Sequence, residues 1–176
     1  RERLSNQKRN KLLKKRRKIK CIDGIEMKWF IMGKKIIKQF RGKYRFLSNF
    51  YPVSITIKGK TYPSTEHYYQ AMKFKDPSLQ EKVQDATSPD RAKKIAHQHT
   101  PREDWEKISL DVMEKALRTK FSKPELKKKL LETEDATLQE GNTWGDEFWG
   151  VNLKSGKGKN HLGRLLMKVR KNIKED

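Results

Sequence analysis

The sequence lacks the residues that disulfides, a metal centre or a membrane span would need. Its one cysteine, Cys21, cannot form a disulfide within the chain, and a lone thiol is typical of a reducing cytoplasm. The four histidines have neither cysteine neighbours nor the His-Glu-x-x-His spacing of a zinc site. The apolar run at residues 29–32 is too short to cross a bilayer, and nearby acids spoil a signal-peptide core. We expect a soluble, intracellular, cytoplasmic protein without a metal and without membrane contact.

Acidic residues are also scarce, since 22 Asp and Glu stand against 43 Lys and Arg and leave a net charge of +21. The arm from Arg1 to Lys20 holds eleven basic residues and one acid, with few large apolar side chains. We interpret residues 1–38 as a flexible basic extension and residues 39–176 as one folded domain. The arm is either a solvated tail or a surface for nucleic acid, although no aromatic residue interrupts its charges. Residues 21–38 receive no function, and a hairpin around Gly33 is one interpretation of them.

The first folded segment reads as a hairpin followed by a helix. Residues 53–57 alternate apolar and hydroxyl side chains, residues 58–60 predict a turn, and residues 61–62 a returning strand. Ser64 is a predicted N-cap, and the helix that it begins should run through Phe74.

The second half of the sequence predicts mainly helices. Ser88 and Pro89 start one, and residues 100–103 have the spacing of a capping box before a long central helix. Pro124 starts another, and Asn160 is a predicted N-cap for a final amphipathic helix. Between these two, residues 136–140 are predicted to be extended.

One face of the helix after Ser64 combines groups that a small heterocyclic anion would need. Helical spacing brings together a carboxylate, an aromatic ring, an amide and a cation, from Glu66, Tyr69, Gln70 and Lys73. Glu66 could instead simply neutralise the dipole at the helix N-terminus. Spacing alone leaves both interpretations open.

A second carboxylate, Asp146, lies in a segment that also contains Trp144, Phe148 and Trp149. Aromatic walls can shift the pKa of a carboxyl group toward values useful in acid or base chemistry. The alternative is that Asp146 only forms a turn among core tryptophans.

Three further features have an ambiguous meaning. The Gly/Lys loop at residues 155–160 precedes a helix N-terminus, where free amides and two lysines could cradle a phosphate, but its spacing is not that of a Walker A loop. Ser48, Asn49 and Phe50 form either a strand entry or the rim of a pocket. Trp105 belongs to the core by its helical spacing.

Seven segments, in order and across about residues 40–172, closely resemble the NADAR family of YbiA-like N-glycosidases. They include Ser-Thr-Glu-His-Tyr-Tyr-Gln at residues 64–70, Trp-Gly-Asp at 144–146 and Gly-Lys-Asn-His-Leu-Gly at 158–163. The first of these matches extends to residues 62–74 and the last to residues 158–167. The other four segments are residues 46–50, 102–105, 112–113 and 117–121.

The resemblance implies a predominantly helical α+β domain with a small sheet, which hydrolyses N-glycosidic bonds without a metal or cofactor. Family members split phosphorylated ribosylamino-pyrimidine intermediates of riboflavin biosynthesis and release ribose 5-phosphate. Activity in the family is tied to the positions of Glu66, Trp105 and Asp146. The substrate-binding residues that we infer with them are Ser48, Asn49, Phe50, Tyr69, Lys73, Trp144, Lys157, Gly158, Lys159 and Asn160.

We assign provisional roles on that basis. Glu66 would activate water or stabilise an oxocarbenium-like cation, and Asp146 would assist proton transfer or hold a ribose hydroxyl. Aromatic side chains would enclose the base, and lysines would meet the phosphate. The aromatic set is Tyr69, Trp105 and Trp144, and the lysines are Lys73, Lys157 and Lys159.

Two other functions stay open. Other family members remove ADP-ribose from guanine in DNA or nucleotides, and the basic arm would then hold the polymer. A non-catalytic reader of ADP-ribose ranks last, because both candidate carboxylates are present. Residues 147–154 stand where relatives often have a glycine-rich stretch, so the resemblance fixes the substrate less firmly than the reaction class. The oligomeric state is not predicted.

Overall fold

The computed structural model describes residues 35–175, so the predictions for the basic arm and for a hairpin around Gly33 lie outside the described residues. The described chain is an α+β domain with one 3₁₀ helix, Gly42–Leu47, and the following elements. The α-helices are α1 (Thr65–Ala71), α2 (Pro77–Gln84), α3 (Pro89–Ala96), α4 (Trp105–Phe121), α5 (Pro124–Leu131) and α6 (His161–Glu175). The strands are β1 (Ile36–Ile37), β2 (Ile55–Ile57), β3 (Lys60–Tyr62), β4 (Thr137–Leu138), β5 (Gly141–Asn142) and β6 (Val151–Asn152). No helix in residues 35–175 has the length and apolar content of a membrane span.

The strands form three separate two-stranded sheets. The predicted hairpin is confirmed, since β2 and β3 pair in antiparallel register around Lys58 and Gly59, which both have positive φ. The predicted extended segment contains β4, which pairs in parallel with β1. Ile37 is therefore buried in the core although the sequence interpretation left it in the extension, and the folded body includes Ile36–Ile37.

Side-chain caps start the helices largely where the sequence predicts them. The Ser64 hydroxyl accepts a hydrogen bond from the His67 N–H at the start of α1, and the Ser88 hydroxyl does the same for Arg91 in α3. Helix α1 ends at Ala71 rather than Phe74. The predicted capping box at residues 100–103 is wrong, because α4 begins only at Trp105, after Asp104. Arg102 engages both carboxylate oxygens of Asp104, which provides no side-chain cap to the helix.

Helix α1 is enclosed by the two apolar clusters of the described chain. Tyr69 packs in the cluster that contains Leu117 of α4, whereas Tyr68 packs in the cluster of the β2–β3 hairpin, α2 and α3. All seven residues of α1 are buried. Its polar side chains therefore meet little bulk solvent, and they must find partners in each other or in a cavity.

Candidate active site

A cavity of about 740 Å³ lies beside α1, and polar side chains of this helix line it. Its walls come from α1, α3, residues 40–50 and the segment that follows β4. Eight of the residues predicted for the site line it, namely Ser48, Asn49, Phe50, Glu66, Tyr69, Lys73, Trp144 and Asp146. The other five, Trp105, Lys157, Gly158, Lys159 and Asn160, do not.

Glu66 is the buried carboxylate on the α1 side of the cavity. Its Oε1 accepts a hydrogen bond of 2.7 Å from Gln70 Nε2, one helical turn further on. Burial raises the pKa of Glu66, while Gln70 and the charges of Lys93 and Lys73 act in the opposite direction. Gln70 is itself 2% exposed, and its Oε1 has no hydrogen-bond partner among the described residues. A ligand donor such as a hydroxyl or amine would satisfy that oxygen.

The start of α1 is fastened to the rim residue Asn49. The Thr65 hydroxyl and the Glu66 N–H both donate to the Asn49 carbonyl, at 3.0 and 3.2 Å. The neighbouring carbonyl of Ser48 accepts a 2.7 Å hydrogen bond from the ammonium group of Lys120, which is fully buried. Residues 48–50 thus line the cavity, and the carbonyls of Ser48 and Asn49 are held there by these hydrogen bonds.

Tyr69 forms the centre of an aromatic wall. Its ring lies 4.9 Å from that of Trp105 and 5.2 Å from that of Trp149, measured between centroids. Trp105 supports Tyr69 but does not line the cavity, and Trp144 lines the cavity while 61% of it is exposed. Burial raises the pKa of Tyr69 above its ordinary value, so its hydroxyl keeps its proton and can donate. Trp149, absent from the predicted set, supplies the wall that Trp144 was expected to supply.

Asp146 is held by a chain of side-chain to backbone hydrogen bonds. Buried Asn142 accepts from the N–H groups of Gly145 and Asp146 through Oδ1, and donates to the Asp146 carbonyl through Nδ2 at 2.7 Å. Asp146 Oδ1 then accepts from the N–H groups of Phe148 and Trp149, at 3.1 and 2.9 Å. Asp146 is therefore a turn-forming residue and a cavity residue together, and its Oδ2 is the oxygen left to meet a ligand.

Glu140 is a third carboxylate at the cavity, which the sequence interpretation did not propose. Burial and the charges of Asp146 and Glu66 raise the pKa of Glu140 to about 7, against the opposing charges of Lys120 and Arg41. The only signal in the sequence is a glutamate that ends a short extended segment six residues before Asp146. That signal is weak, since exposed glutamates are common at such positions.

The cations at the cavity are Lys73, just after α1, Lys93 and Lys94 of α3, His97, just after α3, and Arg41 on the N-terminal rim. Lys73 and Lys93 are half-buried, and Lys93 has no ion pair in residues 35–175. Burial lowers the pKa of Lys73, and it lowers that of His97 together with the charges of Lys73 and Lys93. Lys94 is paired with Asp90 at 2.7 Å. A cluster of cations with few acids among them is the arrangement that an anionic group of a ligand requires.

The loop at residues 155–160, which the sequence predicts to cradle a phosphate, does not line the cavity. Four of its amides already have partners, since Gly156, Lys157, Lys159 and Asn160 donate their N–H groups within the loop or to residues 147–152. The side chain of Asn160 does not cap α6, because its Oδ1 accepts from the Glu140 N–H and its Nδ2 donates to the Leu138 carbonyl. Lysines 157 and 159 are exposed outside the cavity.

No group of three or more His, Cys, Asp or Glu side chains in residues 35–175 is arranged to hold a metal ion. What the cavity does combine is an aromatic wall, a cationic end and four carboxylates, namely Glu66, Glu140, Asp146 and Asp90, the last paired with Lys94.

The chain is similar in sequence and in fold to known proteins. The family model for the NADAR domain matches residues 37–174. The N-glycosidase YbiA of Escherichia coli (strain K12) is 41% identical over 133 residues, which are 74% of this chain and 82% of that protein. A riboflavin biosynthesis protein of Vibrio vulnificus (strain YJ016) is 45% identical over 133 residues, and the chain spans only 36% of its length. The NMR structure of E. coli YbiA matches with a TM-score of 0.73 and 39% identity, over 82% of this chain and 88% of that one.

Proposed function

This chain belongs to the NADAR family, and we propose that it is an N-glycosidase that hydrolyses phosphorylated ribosylamino-pyrimidine intermediates of riboflavin biosynthesis. The products are ribose 5-phosphate and the free amino-pyrimidine. The observation that carries the proposal is the convergence of carboxylates, aromatic rings and cations on one cavity of about 740 Å³. Relatives named N-glycosidase and riboflavin biosynthesis protein support the same reaction. The single cysteine favours a cytoplasmic setting for it.

Cleavage of the bond between ribose C1′ and nitrogen develops positive charge on the ribose, and a carboxylate beside C1′ stabilises that charge. Glu66 is the residue that we assign to this role or to the activation of water, since it is buried and held by Gln70. The remaining oxygen of Asp146 is suited to a ribose hydroxyl. Both carboxylates keep fixed positions, which lowers the reorganisation that the reaction needs.

The phosphate of the substrate would bind at the cationic end of the cavity. Lys73, Lys93 and His97 line it there, whereas Lys157 and Lys159 do not. Half-buried lysines meet a phosphate more strongly than exposed ones, because less water screens the attraction. We therefore transfer the phosphate-binding role from the loop at residues 155–160 to α1 and α3.

The base would lie against Tyr69, whose position Trp105 and Trp149 fix from two sides. Buried Gln70 Oε1 would accept a hydrogen bond from a ribose hydroxyl or a base amine. Trp105 would act on the substrate through Tyr69 in this arrangement, and Trp144 lines the cavity from an exposed position.

The basic arm favours one second candidate, the removal of ADP-ribose from guanine in nucleic acid. Eleven basic residues among the first twenty would attract a polymer of phosphates. Binding would then weaken steeply with salt, and deletion of residues 1–20 would remove that dependence.

The test is a mass-spectrometric hydrolysis assay that offers ribosylamino-pyrimidine phosphate and ADP-ribosylated guanine in parallel. Wild type is compared with Glu66→Ala and with Glu147→Gln, a control carboxylate that is exposed in the loop after Asp146. We expect ribose 5-phosphate from wild type and Glu147→Gln, and none from Glu66→Ala. Release of ADP-ribose instead would favour the second candidate, and no product from either substrate would leave a binding module.

A further inference from the structure

Glu140 has no role in the function proposed so far, yet it lines the same cavity as Glu66 and Asp146. Its Oε2 is buried and has no hydrogen-bond partner among the described residues. An ionised carboxylate in that position would lack the donors that normally compensate its burial. A protonated carboxyl group is the form that fits this site.

The charges around Glu140 favour the same form. Burial, with the charges of Asp146 and Glu66, raises the pKa of Glu140 to about 7, and Lys120 and Arg41 oppose the shift. Lys120 gives little compensation, because its ammonium group already donates to the Ser48 carbonyl and burial lowers its own pKa to about 7. At neutral pH a substantial fraction of Glu140 is therefore protonated while it stands beside two other carboxylates.

The backbone at Glu140 is fixed on both sides. Its N–H donates to Asn160 Oδ1 at 3.1 Å, and its carbonyl accepts from the Val151 N–H at 2.9 Å. The approach to Gly150 is so close that a Cβ there would lie 2.2 Å from the Glu140 carbonyl oxygen. The backbone that carries the Glu140 side chain is consequently held at the cavity wall, and the positioning of a proton donor begins with such a fixed backbone.

We propose that Glu140 is the general acid of the hydrolysis, which protonates the nitrogen that leaves the ribose; this inference rests on the proposed function. The C1′–N bond breaks, its electron pair stays on nitrogen, and the Glu140 proton forms the new N–H bond. Water adds to C1′ and gives one proton to Glu66. Glu66 then returns a proton to solvent and Glu140 takes one up, so that the net reaction consumes one water.

The experiment compares wild type with Glu140→Gln, which keeps the size and removes the transferable proton. The two substrates are ribosylamino-pyrimidine phosphate, whose leaving amine needs a proton, and nicotinamide mononucleotide, whose base leaves neutral without one. We expect a loss of about 100- to 10,000-fold in kcat on the first. On the second we expect less than a tenfold loss. Glu147→Gln should act as wild type on both.

The pH profile is the second readout. Wild-type kcat/KM should fall as the pH rises above about 7, because Glu140 then loses the proton that it donates. Glu140→Gln should lose that alkaline limb, which a purely structural role would not remove. Equal losses on both substrates, or an alkaline limb that survives in Glu140→Gln, would overturn the assignment. A wild type inactive on every N-riboside would overturn the proposed function itself, and with it the inference.

Discussion

The two sides of the cavity are held in place by different interactions. On one side, Glu66 and Lys73 project from or just beyond α1, whose backbone bonds and buried residues join both apolar clusters. On the other side, the carboxylates belong to residues 140–146, where regular structure amounts to one two-residue strand. Hydrogen bonds between the side chains of Asn142 and Asn160 and backbone groups keep that segment in position, with the side-chain oxygens as acceptors and Asn142 Nδ2 as a donor. Packing fixes the first side, and polar side chains fix the second.

The two sides should therefore respond differently to substitution. A polar side chain on α1 can change without loss of the helix, since the helix owes its stability to Tyr68, Tyr69 and Ala71. On the opposite side the residues that hold the loop are also those that aim the carboxylates. Substitutions of polar residues on the α1 side should lower activity without lowering stability. Substitutions on the opposite side should lower both.

Substitution of Glu66 should have the largest effect and tests whether activity and stability separate on the α1 side. Glu66→Gln should lower kcat about 1,000-fold, equivalent to about 4 kcal/mol in the activation free energy, because the buried carboxylate is lost from C1′. Its Tm should be unchanged or higher, since burial raises the pKa of Glu66 and makes its charged form costly in the folded chain. The measurements are single-turnover kinetics and thermal unfolding.

The sign of the pH dependence gives a second check on this variant. A raised folded-state pKa means that wild-type stability is greatest below the unfolded pKa and falls as the pH rises through the folded one. Glu66→Gln should reduce that slope. A Tm that drops by several degrees would mean that Glu66 helps to hold α1, against the separation argued here.

A smaller effect tests the polar side of the cavity. Asn142→Ala removes three hydrogen bonds, to the Gly145 N–H, the Asp146 N–H and the Asp146 carbonyl. We expect a loss of about 2–4 kcal/mol in the free energy of unfolding, measured by urea denaturation. Activity should fall as well, because Asp146 then loses its fixed position.

Asn152→Ala is the matched control for that substitution. Its Oδ1 also accepts backbone N–H bonds, from Lys154 and Ser155, but those residues are exposed and away from the cavity. It should cost about 1 kcal/mol or less and leave kcat unchanged. Equal effects of the two variants would show that Asn142 holds the loop without aiming Asp146.

The α1 side of the cavity could be predicted from the sequence, because its signals are local. Glu66, Tyr69 and Lys73 follow a 3.6-residue period after an N-cap at Ser64, and local rules are sufficient to place them on one face. The β2–β3 hairpin has equally local signals in residues 58–59. The family resemblance gave further weight to Asp146, which its aromatic neighbours had already suggested, and it added the reaction class, which the N-glycosidase relatives support.

The other side could not be predicted, because it depends on contacts between distant residues. Asn160 has the sequence position of a helix N-cap, yet its side chain bonds Leu138 and Glu140, about twenty residues earlier in the chain. Those bonds remove residues 157–160 from the cavity and fix Glu140 beside it. Trp149 takes its place against Tyr69 only because Asn142 and Asp146 shape the intervening loop.

The smallest expected effect asks whether the phosphate binds at α1 and α3 or at the loop of residues 155–160. Lys93→Ala should raise KM about tenfold for a ribosylamino-pyrimidine 5′-phosphate, or about 1.4 kcal/mol, because one half-buried charge partner of the phosphate is lost. The dephosphorylated substrate should show less than a twofold change. Lys157→Ala, which removes an exposed lysine outside the cavity, should leave both KM values within twofold of wild type. A half-buried lysine beside the bound phosphate should contribute more to binding than an exposed lysine that water and salt screen. If Lys157→Ala raised KM more than Lys93→Ala, the phosphate would instead bind at the loop of residues 155–160.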